Sequence, residues 1–130
     1  MFKTYKTNGR PVPFEKYPVT GAEAVAVGEA LVLSSGKLTK CGATATPTFI
    51  AEEPCTGAEA TAGKEIAVHR VSKEIIYETE LTADYSAIAA GAKVTLASTG
   101  LGITATTTSG VAEIVSWDGK TSGDKVRIRF

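Results

Sequence analysis

Residues Gly91–Phe130 read GAKVTLASTGLGITATTTSGVAEIVSWDGKTSGDKVRIRF, and much of that string has already occurred once upstream. Gly91-Ala92-Lys93-Val94-Thr95-Leu96-Ala97-Ser98 falls under Gly28-Glu29-Ala30-Leu31-Val32-Leu33-Ser34-Ser35 at a shift of 63 residues, 91 against 28, and both follow G-x-x-apolar-x-Leu-x-Ser. A glycine turn and a short apolar-Thr run come next in each: Lys37-Leu38-Thr39 in one, Gly102-Ile103-Thr104 in the other. Ala51-Glu52 recurs as Ala112-Glu113, and the stretch from Gly63 to Val71 recurs as Gly123 to Phe130. A duplicated strand-turn-strand unit accounts for this, and two copies make one domain rather than a solenoid.

Working outward, the side-chain pattern is that of short strands. Val126, Ile128 and Phe130 alternate with Lys125, Arg127 and Arg129, giving a half-buried last strand with a basic outer ladder. Val111–Trp117 is apolar on both faces, so Ile114, Val115 and Trp117 are expected to help bury a subunit interface, because a second apolar face otherwise stays in water. Ser35-Gly36 is turn chemistry for a hairpin. Pro47–Glu53 reads as a strand, and Cys41–Thr46 and Pro54–Gly63 as loops. Lys64–Leu81 reads as two strands joined near Ser72-Lys73, and Ile103–Thr108 as a further alternating strand. Helix formers gather only over Asp84–Ala90, before a stop at Gly91, as a connector between the copies. The predicted fold is all-β: a small antiparallel β-barrel or sandwich with an internal two-fold repeat (about 28–71 and 91–130, within a domain of residues 21–130), one short connector helix and an extended N-terminal arm over residues 1–20.

In that arm Pro11, Pro13 and Pro18 disfavour helix and central strand. Lys3, Lys6, Arg10 and Lys16 face one acid, Glu15, and Phe2, Tyr5, Phe14 and Tyr17 are interleaved with them. Two readings stand: an arm that docks on another molecule, poorly ordered until it does so, or one folded back over its own core.

Composition bounds the function. A chain of 130 residues buries enough surface to fold without staples. Its 14 basic and 14 acidic residues remove the electrostatic drive of a general nucleic-acid binder. No apolar run is long enough to span a membrane and no signal core follows Met1, so the product is expected to stay where it is made. Cys41 and Cys55 are expected to be reduced thiols, with a bridge between them as the rival.

The sequence carries no recognisable catalytic constellation. His69, the one histidine, lies opposite Ile66 and Val68 with no motif around it, and a surface or interface position is expected. Asp118-Gly119-Lys120-Thr121 contains GKT, but a phosphate loop requires glycine where Ile114 stands, so the segment reads as a hairpin turn. Glu52-Glu53 and Glu78 with Glu80 read as solvated faces, and Ser34-Ser35 and Thr106–Thr108 have no adjacent base. No catalytic residue, metal or cofactor is expected.

The two-copy glycine-leucine pattern, the Ile88-Ala89-Ala90-Gly91 lead-in, Gly110-Val111-Ala112-Glu113 and the terminal GDKVRIRF together resemble the capsid cement, or head decoration, proteins of tailed bacteriophages, over roughly Ala22–Phe130. The resemblance implies a non-enzymatic structural protein. It would be made in the host cytoplasm and carried as a homotrimer on the outer capsid surface of the virion, where members of the family clamp the major capsid protein, without nucleic acid or membrane as partners. The capsid-binding arm would then comprise Phe2, Lys3, Tyr5, Lys6, Arg10, Phe14 and Tyr17. A carbohydrate-binding or adhesin β domain is the alternative, thinly supported by Trp117. A lipoyl- or biotinyl-carrier domain with Lys37 at a hairpin tip is a further one, lacking that family's acidic-Met-Lys pattern.

Overall fold

Ser35 and Gly36 take φ of 49° and 78° and turn strand β3 (Ala30–Ser34) directly back into β4 (Lys37–Lys40), with Leu33 opposite Leu38. Positive φ at both central positions matches the right-handed twist of the flanking strands. The computed structural model describes residues 1–130. Its other elements are β1 (Lys3–Lys6), β2 (Phe14–Pro18), β5 (Phe49–Ala51), helix α1 (Gly57–Thr61), β6 (Glu65–Arg70), β7 (Ile76–Glu80), β8 (Lys93–Val94), β9 (Ala112–Trp117) and β10 (Lys125–Arg129). They form two five-stranded antiparallel sheets, in the orders β2-β6-β5-β3-β4 and β1-β7-β10-β9-β8.

The sheets are two castings of one plan. Ala30 opposite Ile50 and Leu31 opposite Phe49 become Lys93 opposite Glu113 and Val94 opposite Ala112, each partner shifted by 63. The Gly28 N–H donates to Ala51 O at 2.7 Å, and the Gly91 N–H to Ile114 O at 2.8 Å. Ala51 therefore corresponds to Ile114, two residues beyond the Ala112 that letter matching suggests. Gly28 and Gly91 have φ of 74° and 85°, a region open to glycine at little cost, which explains the invariant first letter of the repeated motif.

The copies also begin earlier than Gly28. Glu15, Lys16 and Tyr17 pair with Val68, Ala67 and Ile66 as Tyr77, Glu78 and Thr79 pair with Ile128, Arg127 and Val126. Thus β2 is the counterpart of β7. Each sheet curls until Val19 meets Leu38, or Leu81 meets Ile103, in a single parallel bridge. One bridge is not a ladder, so neither sheet closes into a barrel, and of the two predicted architectures the sandwich is the consistent one.

Two cores follow from the duplication. Val19, Val25, Leu31, Leu38, Phe49, Ala51, Ile66 and Val68 fill the first copy, and Leu81, Ile88, Val94, Ile103, Ala112, Ile114, Val126 and Ile128 fill the second. Each fully buried aliphatic or aromatic side chain contributes roughly 1.5–3 kcal/mol. The second core also takes Ala30 and Ile50 from the reverse side of the first sheet, joining the copies.

Several expectations require correction. The one helix is α1, inside the segment read as loop. Its Thr56 hydroxyl accepts from the Glu59 N–H while the Glu59 carboxylate accepts from the Thr56 N–H, satisfying two orphan donors. Asp84–Ala90 forms turns that lower Tyr85 and Ile88 into the core. Ile103–Thr108 is not a strand: beyond the bridges of Ile103 it is held by turns, with Thr104 and Thr106 bonded to Thr95. The N-terminal residues are extended, yet they are no loose arm, because β1 pairs with β7 and β2 with β6. Pro11 and Pro13 lie in the link between these strands. Pro18 lies on an edge strand where, by alternation, its nitrogen points away from β6, so no ladder bond is lost.

Candidate interaction surface

The N-terminal strands sort their aromatic residues by depth. Phe2 is only 3% exposed, set edge-on to Tyr77 and Phe130, with its N–H donating to Gly28 O at 2.9 Å. It is a core residue, and its expected role as a docking anchor is withdrawn. Tyr17 is half-buried against Phe49 and donates its hydroxyl to Glu15 at 2.7 Å, so it too faces inward. Tyr5 and Phe14 remain outside, 57% and 63% exposed. Lys3, Lys6 and Arg10 are exposed with them.

Tyr5 lies over Arg127, whose guanidinium carbon is 5.0 Å from the ring centroid. Arg127 also donates to Glu78 at 3.0 Å and to Asp118, and these carboxylates hold its charge firmly. The other members of the predicted basic ladder are likewise matched, Lys125 by Glu80 and Arg129 by Glu113 at 3.0 Å. The outer face of β10 is therefore a lattice of ion pairs rather than a positive patch, and Glu78 belongs to it instead of standing solvated. On the first sheet Arg70 pairs with Glu15 at 3.0 Å and lies 4.7 Å from the Phe49 centroid. The Arg70 guanidinium, followed by the Tyr17 hydroxyl, holds the Glu15 carboxyl below its ordinary range.

On β9 the predicted interface residues separate. Ile114 is fully buried in the second core and cannot reach a partner, whereas Val115 and Trp117 are half-exposed, Trp117 resting partly on that core. A register shift between Arg127 and Ile128 interrupts the β9–β10 ladder and thus the simple alternation of faces.

His69 is only 2% exposed and lies between the two sheets, where a surface or interface position was expected. Its Nδ1 meets the Glu52 carboxylate and its Nε2 the Tyr77 hydroxyl at 2.9 Å, with the two rings stacked at 5.6 Å. A neutral imidazole donating to Glu52 and accepting from Tyr77 satisfies both nitrogens, and the trio ties β6 of one sheet to β7 of the other. Burial, reinforced by the Glu52 charge, pushes the Tyr77 phenol well above its usual range, so it serves as a hydrogen-bond donor. Glu52 is consequently a structural partner and not a solvated acid.

The two thiols are free and lie in different cores, Cys41 in the second and Cys55 in the first. Burial pushes the Cys41 thiol up to about 11. In the GKT segment the Asp124 carboxylate accepts from both the N–H and the hydroxyl of Thr121 at 2.8 Å, which makes it the turn between β9 and β10. Lys37 is exposed on the first residue of β4. A groove of about 250 Å³ opens beneath the link between β1 and β2, lined among others by Arg10, Pro11, Val12, Arg70 and Ile75.

Sequence reading missed Lys16 as a surface determinant, although its spacing of two from Phe14 places both on one exposed face of β2. Compared with protein-family models and with curated protein sequences, the chain finds no match in either.

Proposed function

We propose that this protein is a structural capsid decoration protein that binds the outer surface of a phage head and reinforces its lattice. The observation that carries the reading is the outward presentation of Tyr5, Lys3 and Lys6 on β1, behind which Phe2 is buried, of Phe14 on β2, and of Arg10 in the link between them. Exposed aromatic residues on a rigid backbone supply contact area at low entropic cost. The sequence resemblance points to the same class. In this reading the partner is the major capsid protein, and a homotrimer gains hold through multivalency, each bound subunit raising the effective concentration of the others. Val115 and Trp117 are the residues offered to the subunit contact.

Head binding by the double variant Tyr5→Ala, Phe14→Ala tests this. Neither residue is core, so the variant keeps its fold while affinity for heads falls at least about tenfold, or ~1.4 kcal/mol. Undiminished binding by the folded variant rejects this surface. Cryo-electron microscopy of heads with and without the protein shows whether added density occupies the outer face. Deletion of Met1–Pro18 is not an equivalent test, because it removes two strands and Phe2.

A further inference from the structure

We propose that the free edge of β2, at Phe14–Lys16, is a docking site for an extended, acidic strand of a partner protein, seated antiparallel in the register that β1 uses on β7. The internal duplication carries the argument. Strand β7 is the counterpart of β2, and its outer edge is occupied: Lys3 lies opposite Glu78, Thr4 opposite Tyr77 and Lys6 opposite Ile76. The corresponding residues of β2 are Lys16, Glu15 and Phe14, and β2 ends its sheet with no strand beyond it. One fold therefore shows the same edge filled and empty.

The empty edge has groups to offer. Along the first strand of each copy, odd-numbered residues bond inward and even-numbered ones outward: Val19 donates to Lys64 O and Thr20 to Leu38 O, as Leu81 donates to Asp124 O and Thr82 to Ile103 O. By that alternation Phe14 and Lys16 each direct an N–H and a C=O away from β6. Thr20 and Leu38 occupy the far end of the edge, so a docking strand covers Phe14–Lys16, as β1 covers Ile76–Glu78.

Charge identifies the occupant. A second copy pairing β2 with β2 is disfavoured, because a two-fold centred on Glu15 or Lys16 sets like charges together, and one centred on Phe14 leaves Lys16 opposite Val12, beyond the end of β2, with its charge unmatched. A second copy's β1 is disfavoured as well: its Lys3 meets Lys16 where the native pair is Lys3 with Glu78, and its Phe2 is buried at home. The strand that fits belongs to another protein and carries an acidic residue opposite Lys16 and an apolar one opposite Phe14. Arg10, in the groove that Pro13 also lines at the Phe14 end, adds further positive charge, while Arg70 beside it is matched by Glu15. Main-chain bonding of this kind supplies affinity and the cross-strand pairs supply selectivity. The edge and its charge are properties of this chain alone, so the inference stands whether or not the partner is a capsid.

The test uses the intact protein and two blocked peptides, residues Met1–Thr7 and the same peptide with Lys3→Glu and Lys6→Leu. Amide chemical shifts and hydrogen exchange are followed by NMR. The acidic peptide is expected to shift and protect the Phe14 and Lys16 amides and to bind about fivefold tighter than the basic one, the scale of a cross-strand charge pair. Lys16→Glu, a surface change, is expected to reverse that preference. An acidic peptide N-methylated at the bonding positions should not bind. Perturbation elsewhere, equal affinity for both peptides, no reversal by Lys16→Glu, or full binding by the N-methylated peptide each overturns the proposal.

Discussion

Phe2→Ala separates a core N-terminus from a free one. The side chain is almost fully enclosed, stands 5.4 Å from Phe130 and 6.5 Å from Tyr77 between centroids, and closes the second core at the edge covered by β1. Truncating a buried phenylalanine costs about 3–5 kcal/mol, combining lost transfer energy with an incompletely collapsed cavity. The low end applies here, about 3 kcal/mol, because a chain end relaxes inward more readily than a mid-strand residue. At roughly 2.1 cal/mol/K per residue the unfolding entropy of the 130-residue chain is about 0.27 kcal/mol/K, so Tm should fall by about 11 °C. Urea unfolding followed by circular dichroism gives the free energy, and a thermal scan the shift. Phe14→Ala is the control and should stay within about 0.5 kcal/mol, since its ring is mostly in water. A Phe2→Ala loss below about 1 kcal/mol would refute the placement of this segment in the core.

Two further outcomes are expected. Glu29 is 3% exposed, with Oε2 accepting from the Ala26 N–H at 2.7 Å and Oε1 unbonded, 3.7 Å from Lys40 Nζ. Burial raises its carboxyl above the ordinary value, so its contribution to stability is present in full below the unfolded pKa and is lost as pH rises through the folded one. Glu29→Gln should therefore stabilise the protein by about 1 kcal/mol at pH 7, with the gain fading in acid; denaturation at pH 4 and pH 7 measures it, and a loss at neutral pH counts against the account. At Gly110 an added Cβ would overlap the Lys93 carbonyl and the Val94 nitrogen, whereas at Gly42 it meets open space. Gly110→Ala should cost about 1–3 kcal/mol by prising the lead-in to β9 from β8, and Gly42→Ala should be neutral within about 0.5 kcal/mol in the same urea assay.

Local chemistry made some elements legible and long-range packing hid others. Val126 and Ile128 alternate with Lys125 and Arg127 because only one face of β10 is covered, and period two survives in the letters. Ser35-Gly36 announces its turn because few residues accept positive φ. His69 was misjudged for the opposite reason: β6 lies between its own core and the second sheet, so its reverse face is buried too, and alternation says nothing about that second cover. Thr56 and Glu59 carried a capping signature in the letters, but a five-residue helix among glycines and prolines offers no hydrophobic period beside it. Asp84–Ala90 had the composition of a helix and a glycine stop, but Ala87 stands where a capping box would place Glu or Gln. In the candidate surface, Tyr5 and Phe14 were visible as exposed aromatics, while Phe2 was not separable from them, because its burial depends on Tyr77 and Phe130, far away in the chain.

That separation also shapes how the molecule is made. Counting from Thr4 to Tyr77, 73 residues must be synthesised before β1 can meet its partner, a wait of roughly 4–15 s at cellular elongation rates. During that interval β2 is the nearest edge, only a short link away, and it has the same shape as the correct one. What it lacks is the charge and the core seat: in the equivalent register Lys3 would face Lys16 instead of Glu78, a like-charged pair that weakens a local hairpin by up to about 1 kcal/mol, and Phe2 would miss Tyr77 and Phe130. Both differences favour the later partner once the second copy emerges.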